Sequence, residues 1–260
     1  MNSLLNVGHR GAAAYAPENT TASFDMAIKC RADMIEFDLR RISDGTIVLF
    51  HDRYFRLQSG ARKAVSKARF AEIERYALRK GFKIATFEEI LRRYGQIIPM
   101  NIEIKIGGIE KDIVHLLRKS PPFFKPTISS FYPWILNRIR HIDSNLRTAL
   151  IIGQNGINLL AKPILWQLIS RLGLSAVHLQ DSLITKRLIA SLRKAGVGIA
   201  VWTVDTPEEM RKMIRLGVDN IITNKPDILF DICREMTGEA KPILSPTNNQ
   251  IGKFAYLARG

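Results

Sequence analysis

Carboxylates interrupt two of the most apolar runs of this 260-residue chain, and they do so at alternate positions. In MIEFDL at 34–39, Glu36 and Asp38 stand two apart among Ile35, Phe37 and Leu39; in NIEIK at 101–105, Glu103 and Lys105 alternate with Ile102 and Ile104. Successive side chains of a β-strand point to opposite faces, so each run reads as a strand with one apolar and one charged face. Two acids on one buried face repel and lose hydration. A divalent cation with oxygen ligands is the simplest remedy, and Glu103 supplies a third carboxylate for it.

The residues after Asp38 place a histidine beside this pair. Ser43-Asp44-Gly45 is a turn signal between two strand-like runs, and a hairpin closed there pairs residues whose numbers sum to about 87. Glu36 then lies opposite His51, whereas a slip of one residue turns His51 to the other face. His9 ends the short apolar run of Leu4, Leu5 and Val7 and precedes Arg10 and Gly11. Such a strand-to-loop exit is where barrel enzymes hold catalytic groups.

Nine β-rich runs alternate with helical segments: NVGH, MIEFDL, TIVLFH, MNIEIK, PTISS, TALII, AVHLQ, GIAVWTV and NIITN. A single α/β barrel of the (β/α)8 type needs eight, and the chain length suits one. The surplus run is assigned to the 35–51 hairpin, because so few residues cannot join parallel neighbours. No internal repeat is apparent.

The same residues carry a family resemblance. HRG at 9–11, PENT at 17–20, E-x-D at 36–38, DG at 44–45, HD at 51–52 and EIK at 103–105 resemble, in order and spacing, the glycerophosphodiester phosphodiesterase family. TFEEIL at 86–91, ISSF at 128–131 and the tract through VWTVDTPEEM to Asp227 extend the likeness over residues 5–230. Two departures stand out: Ser43 where the family usually has Thr, and RYFRLQSG where it has a Thr-rich stretch after HD.

The resemblance implies a TIM-type barrel that hydrolyses glycerophosphodiesters to glycerol 3-phosphate and an alcohol. It implies one divalent cation, Mg²⁺ or Ca²⁺, on Glu36, Asp38 and Glu103, with His9 and His51 as general acid and base. The chemistry of the residues agrees, since a phosphodiester needs its charge neutralised, a nucleophile deprotonated and a leaving alkoxide protonated. His51 is expected to take the first proton and His9 to give the second, an order the sequence leaves open. Arg10 can fork onto phosphate oxygens and Lys105 can add a point charge. Trp202 either lines the pocket against glycerol or fills the barrel.

Charge is uneven along the chain. Lys and Arg number 39 against 24 Asp and Glu, and residues 53–83 alone hold ten basic and two acidic residues, a net +8. Phe70, Ile73 and Ala77 recur there at helical spacing, which predicts a small helical insertion near the barrel mouth with an exposed basic face. Such a face attracts anionic substrates or an anionic lipid surface. Three classes of function follow. The first is hydrolysis of small glycerophosphodiesters, and the second is the same chemistry on lysophospholipids at a membrane surface, as a lysophospholipase D, favoured by the basic insertion and by Trp166. The third, a non-enzymatic basic binding protein, suits the charge, but the aromatics do not interleave with the basic run and nucleic acid is not expected as a partner.

Met1 runs almost directly into the first strand, which leaves no room for a leader and predicts a cytoplasmic protein, peripheral to the membrane at most. Cys30 and Cys233 have neither framework nor metal spacing. The most apolar helical stretch, residues 157–174, is interrupted by Lys162, Pro163, Gln167 and Arg171. The barrel is expected over residues 1–237. The remaining 238–260 read as a Pro- and Gly-containing linker followed by an apolar segment, and no oligomeric state is implied.

Overall fold

Alternation of apolar and polar residues decides the architecture, because a strand covered by helices outside must still fill the inside of its sheet. In the computed structural model, which describes residues 4–160 and 162–237, eight parallel strands close into a barrel. They are β1 (Leu5–Gly8), β2 (Met34–Arg41), β6 (Met100–Ile104), β7 (Thr127–Ser130), β8 (Arg147–Ile152), β9 (Ala176–Gln180), β10 (Gly198–Trp202) and β11 (Asn220–Thr223). Pairing of β1 with both β11 and β2 closes the ring. The ninth run, β3 (Ile47–Leu49), is the surplus one and returns antiparallel on β2. All nine predicted runs are strands.

Helices α1 (Thr21–Lys29), α3 (Phe87–Tyr94), α4 (Glu110–Lys119), α5 (Pro133–Ile142), α6 (Lys162–Leu172), α7 (Lys186–Lys194), α8 (Pro207–Leu216) and α9 (Pro226–Thr237) cover the outside. Ile35, Phe37 and Leu39 of β2, with Ile102 and Ile104 of β6, point outward into a core shared with Phe24, Phe87 and Ile113 of these helices. A second core joins β8–β11 to α6–α9 through Leu150, Leu179, Ile199 and Ile221. The inward positions are the alternates. Register sets Glu36 beside Asn101 and Asp38 beside Glu103 across β2 and β6, and Ile151 beside His178 across β8 and β9. Below this polar layer the barrel is filled by Leu5, Val7, Met34, Ala200 and Ile222.

The hairpin register differs from expectation by one residue. Leu39 pairs with Leu49 and Arg41 with Ile47, numbers that sum to 88. The cause is the turn: Ile42 N–H donates to the Thr46 carbonyl at 3.0 Å, and the loop between them has three residues ending in Gly45 at φ +92°. Three-residue hairpin loops put a residue with positive φ in that place. Continued regularly, this register would put His51 opposite Phe37, on the outer face. The last ladder hydrogen bond instead runs from Phe50 N–H to the Asp38 carbonyl at 3.0 Å, and beyond it the Arg40 guanidinium holds the His51 carbonyl at 2.9 and 2.7 Å. His51 thereby reaches the inner side that the expected register had assigned to it.

The insertion is only partly helical. It opens with a hairpin, β4 (Tyr54–Arg56) against β5 (Arg62–Ala64), before α2 (Phe70–Arg79). Ile73 and Ala77 of α2 are buried as their spacing predicts, and with Phe55, Val65, Ile42 and Val48 they form a separate small core over the β2–β3 hairpin. Ser43 keeps the insertion attached where the family usually has Thr: its hydroxyl donates to the Ala68 carbonyl at 2.8 Å.

The chain turn after β1 is tight. Arg10, Gly11 and Asn19 have φ of +50°, +89° and +59°. A Cβ on Gly11 would lie 2.1 Å from Ser23 Oγ. Gly11→Ala is therefore expected to destabilise the fold by about 2–4 kcal/mol, a positive-φ cost added to overpacking. The urea midpoint measures it, and an unchanged midpoint would contradict the assigned backbone. The predicted tail at 238–260 lies outside the described residues.

Candidate active site

Barrel closure brings the C-terminal ends of the strands together, and the polar inward residues meet there. One cavity of about 80 Å³ is lined by His9, Arg10, Glu36, His51, Asn101, Glu103, Lys105, Phe131, Ile151, His178, Trp202 and Ile222. Seven of the eight residues expected at the site are in that lining; Asp38, the eighth, is buried directly behind it. Larger surface concavities lie elsewhere, at the opposite end of the barrel and on the insertion. Neither shares a residue with that lining.

Glu36, Asp38 and Glu103 each offer one carboxylate oxygen, all within 4.8 Å of one another. All three are buried. Asp38 Oδ1 and Glu103 Oε1 have no aligned hydrogen bond and face the Lys105 ammonium, at 3.1 and 2.6 Å. Burial, with the charges of Asp38 and Glu103, pushes Glu36 well above the usual carboxylate range. Burial also raises Glu103, to about 7, against the pull of Lys105. Asp38 goes the other way: burial would raise it, but Lys105, Arg10 and His51 outweigh that and hold it at about 2. Two acids resisting ionisation in an oxygen-only donor set fit a hard divalent cation, which would favour the charged form of all three.

The PENT motif builds the wall behind these acids. Glu18 accepts from Arg10 Nη1 at 2.7 Å, and Arg10 Nε lies 3.2 Å from Asp38 Oδ2. Asn19 clamps Asp38 twice, donating from Nδ2 at 2.9 Å and accepting the Asp38 N–H at 3.1 Å. Thr20 caps α1 by accepting the Ser23 N–H. Arg10 N–H donates to Glu36 Oε2 at 2.9 Å. The left-handed conformations at Arg10 and Asn19 are what aim these groups inward.

Both imidazoles are tethered from outside through Nδ1. His9 Nδ1 meets Asn224 Oδ1 at 2.8 Å, and Asn224 Nδ2 donates to Asp205 Oδ2 at 2.6 Å. A carboxylate only accepts, so the amide nitrogen belongs on Asp205, the amide oxygen faces His9, and Nδ1 of His9 carries the hydrogen. His51 Nδ1 lies 2.9 Å from Asp52 Oδ1. Nε2 of each ring remains as the exchangeable position. Burial and then Arg10 lower the pKa of His9 to about 4, while burial and Lys105 lower that of His51.

Trp202 lies on the pocket wall, its Nε1–H on the His178 carbonyl at 3.1 Å and its ring 5.6 Å from Phe131. Four further polar residues lie outside the expected eight and outside the HRG, PENT and HD motifs. Asp205 and Asn224 were visible as members of VWTVD and TNKPD, on loops that follow β10 and β11. Asn101 was visible as the inward residue two before Glu103. His178 had the weakest signal, a lone polar residue in an apolar strand, and its Nδ1 and Asn101 Oδ1 are buried without hydrogen-bond partners.

Fold and polar centre together define a (β/α)8-barrel enzyme. Residues 9–228 match the glycerophosphoryl diester phosphodiesterase family, and the chain belongs to that family. A glycerophosphodiester phosphodiesterase of Caldanaerobacter subterraneus subsp. tengcongensis is 31% identical over 247 residues, covering 89% of this chain and 98% of that protein. The glycerophosphodiester phosphodiesterase structure from Thermotoga maritima superposes with a TM-score of 0.75 at 25% identity, covering 89% and 100%. An Oleispira antarctica phosphodiesterase, solved with its product sn-glycerol-3-phosphate, has the same fold at a TM-score of 0.77 and 21% identity, covering 87% and 95%.

Proposed function

We propose that this protein hydrolyses glycerophosphodiesters to glycerol 3-phosphate and an alcohol with a divalent cation on Glu36, Asp38 and Glu103 and proton transfer by His9 and His51. The observation that carries the reading is the trio of buried carboxylates between two imidazoles whose Nε2 positions are both free to exchange protons. The cation, Mg²⁺ or Ca²⁺, would draw charge from the phosphate oxygens and fix the diester at the three acids. Arg10 and Lys105 add positive charge at the same place, and both keep their protons because Asp38 and the glutamates raise their pKa values against burial. Both cations then have anionic partners in either state, the carboxylates alone or the carboxylates and the diester.

Asp52 behind His51 suits a proton acceptor, since a carboxylate on Nδ1–H stabilises the imidazolium that forms. His51 takes the proton of the attacking hydroxyl. His9 is neutral in the substrate-free protein, and a diester anion beside it, backed by Asn224 and Asp205, favours the protonated form that an acid needs. His9 then protonates the leaving alkoxide. Trp202 and Phe131 offer apolar faces to the carbon chain of glycerol, and Asn101 Oδ1 and His178 Nδ1 are unpaired polar atoms for its hydroxyls, the first as acceptor and the second as donor or acceptor by tautomer.

Release of glycerol 3-phosphate and free alcohol from a panel of soluble diesters tests the reading. No release from any glycerophosphodiester, with Mg²⁺ or Ca²⁺ supplied, would overturn it. Asn224→Ala supplies a narrower test of how His9 is held. It is expected to lower kcat by about 10–100-fold, the range seen when a group orienting a functional imidazole is lost. The pH profile of kcat should shift with it while KM changes little, and a change in KM alone would remove Asn224 from this role.

A further inference from the structure

The exposed apolar side chains are not spread evenly. Of eleven large ones among the described residues, seven belong to segments that leave the C-terminal ends of the strands or to the insertion hairpin beside them. Tyr132 and Trp134 follow β7, with rings 5.9 Å apart. Ile157 lies in the turn after β8 and Ile164 at the start of α6, each at least two-fifths exposed. Tyr54 stands on the insertion hairpin, flanked by Arg53 and Arg62, whose guanidinium carbons lie 5.4 and 4.6 Å from its ring centre. Single exposed apolar residues are ordinary, but a ring of them around one opening is not.

The insertion supplies the charge. Arg53, Arg56, Arg62, Arg79 and Lys80 line one open concavity of about 850 Å³ with Tyr54 at its edge and Asp52 as its single acid. Asp52 is also the partner of His51, so this basic surface begins at the catalytic pocket. Not every cation of the run contributes. Lys63 is held by Glu72 at 2.6 Å, and Arg69 sits at the N-terminus of α2.

We infer that the mouth face is a docking surface for an anionic phospholipid bilayer, with the insertion cations on the headgroups and Tyr132, Trp134, Ile157 and Ile164 at the acyl boundary. Amphipathic aromatics suit that depth, and cations close to an anionic leaflet add to the attraction. A nucleic acid or acidic protein would use the arginines but would leave the aliphatic side of the rim exposed. Among the described residues no helix is long and apolar enough to cross a membrane, which suits attachment from one side. Docked in this way, the pocket opens onto the headgroup layer. The chain would then meet lysophospholipids as well as soluble diesters, a consequence that rests on the proposed phosphodiesterase reading, whereas docking itself does not.

Sedimentation with vesicles tests the docking without any catalysis. The full chain is expected to sediment with phosphatidylglycerol vesicles and to stay in solution with phosphatidylcholine vesicles. Reversal of four charges, R53E, R56E, R62E and R79E together, should lower the partition coefficient at low salt by on the order of 10³-fold. Tyr132→Ser with Ile157→Ser should lower it as well, and this second variant separates bilayer contact from simple charge attraction. Both variants are expected to keep hydrolysis of a soluble diester and the wild-type thermal midpoint, which shows that they fold. Equal sedimentation of the charge-reversed variant and wild type would overturn the inference. So would an apolar variant that binds as wild type does, or a wild type that binds heparin but no vesicle.

Discussion

Replacing His9 or His51 by Ala is expected to lower kcat by about 10²–10⁴-fold, the usual worth of a positioned general acid or base. The fold survives either change, because both rings sit at strand ends and tether through Nδ1 to loop residues rather than to the core. The double variant costs little more than one single variant if the two histidines act as a unit. NMR titration of the imidazoles separates the roles. His9 is expected near pH 4 in the free protein and higher with glycerol 3-phosphate bound. Near-normal turnover in either single variant removes that histidine from the mechanism, and an unmoved His9 titration removes it from the acid role.

Removal of divalent cations is expected to abolish turnover, and addition of Mg²⁺ or Ca²⁺ to restore it. The sign of its pH dependence follows from the acids themselves. Glu103 titrates at about 7 without a cation and Glu36 is also raised. Below pH 7 the cation must displace a proton from Glu103, and one from Glu36 wherever that acid is also protonated, so apparent affinity falls by about tenfold per pH unit for each proton displaced. Raising the cation concentration therefore moves the acidic limb of activity to lower pH. Stability changes in the same sense. A carboxyl with a raised folded pKa binds more protons folded than unfolded between its ordinary value and about 7, so the cation-free fold loses stability as pH rises through that window. A bound cation cancels the loss, and its thermal stabilisation is greater at pH 8 than at pH 6. At a hundredfold excess over its dissociation constant it amounts to about 2.7 kcal/mol. Full turnover by stripped protein in chelator, or stabilisation that is equal at the two pH values, would remove the cation from these acids.

A candidate site can be read early where its side chains alternate along single strands. Glu36 with Asp38, and Glu103 with Lys105, were legible because a period of two places each pair on one face of its own run whatever the rest of the chain does, whereas the β2–β6 register is what brings the pairs together. The same holds for the nine strand-like runs and for the buried stripe of α2, since helical spacing names its inner side. Family motifs then connected His9, Arg10, His51 and Lys105 to these acids across ninety residues, which no local pattern can do.

Local spacing determined less once the chain turned. The register of the β2–β3 hairpin depended on whether its loop held an odd or even number of residues, and Gly45 at φ +92° decided for three. His51 nevertheless faces the pocket because Arg40 and the end of the ladder redirect it, a contact between neighbouring segments rather than a property of either. Asp205 and Asn224 lie almost two hundred residues or more from His9 and back it only because β11 closes the barrel against β1. The rim of exposed aromatics likewise exists only in the folded chain. Alternation within a strand is set by neighbouring residues and can be read one segment at a time, whereas barrel closure joins segments whose distances the sequence does not encode locally.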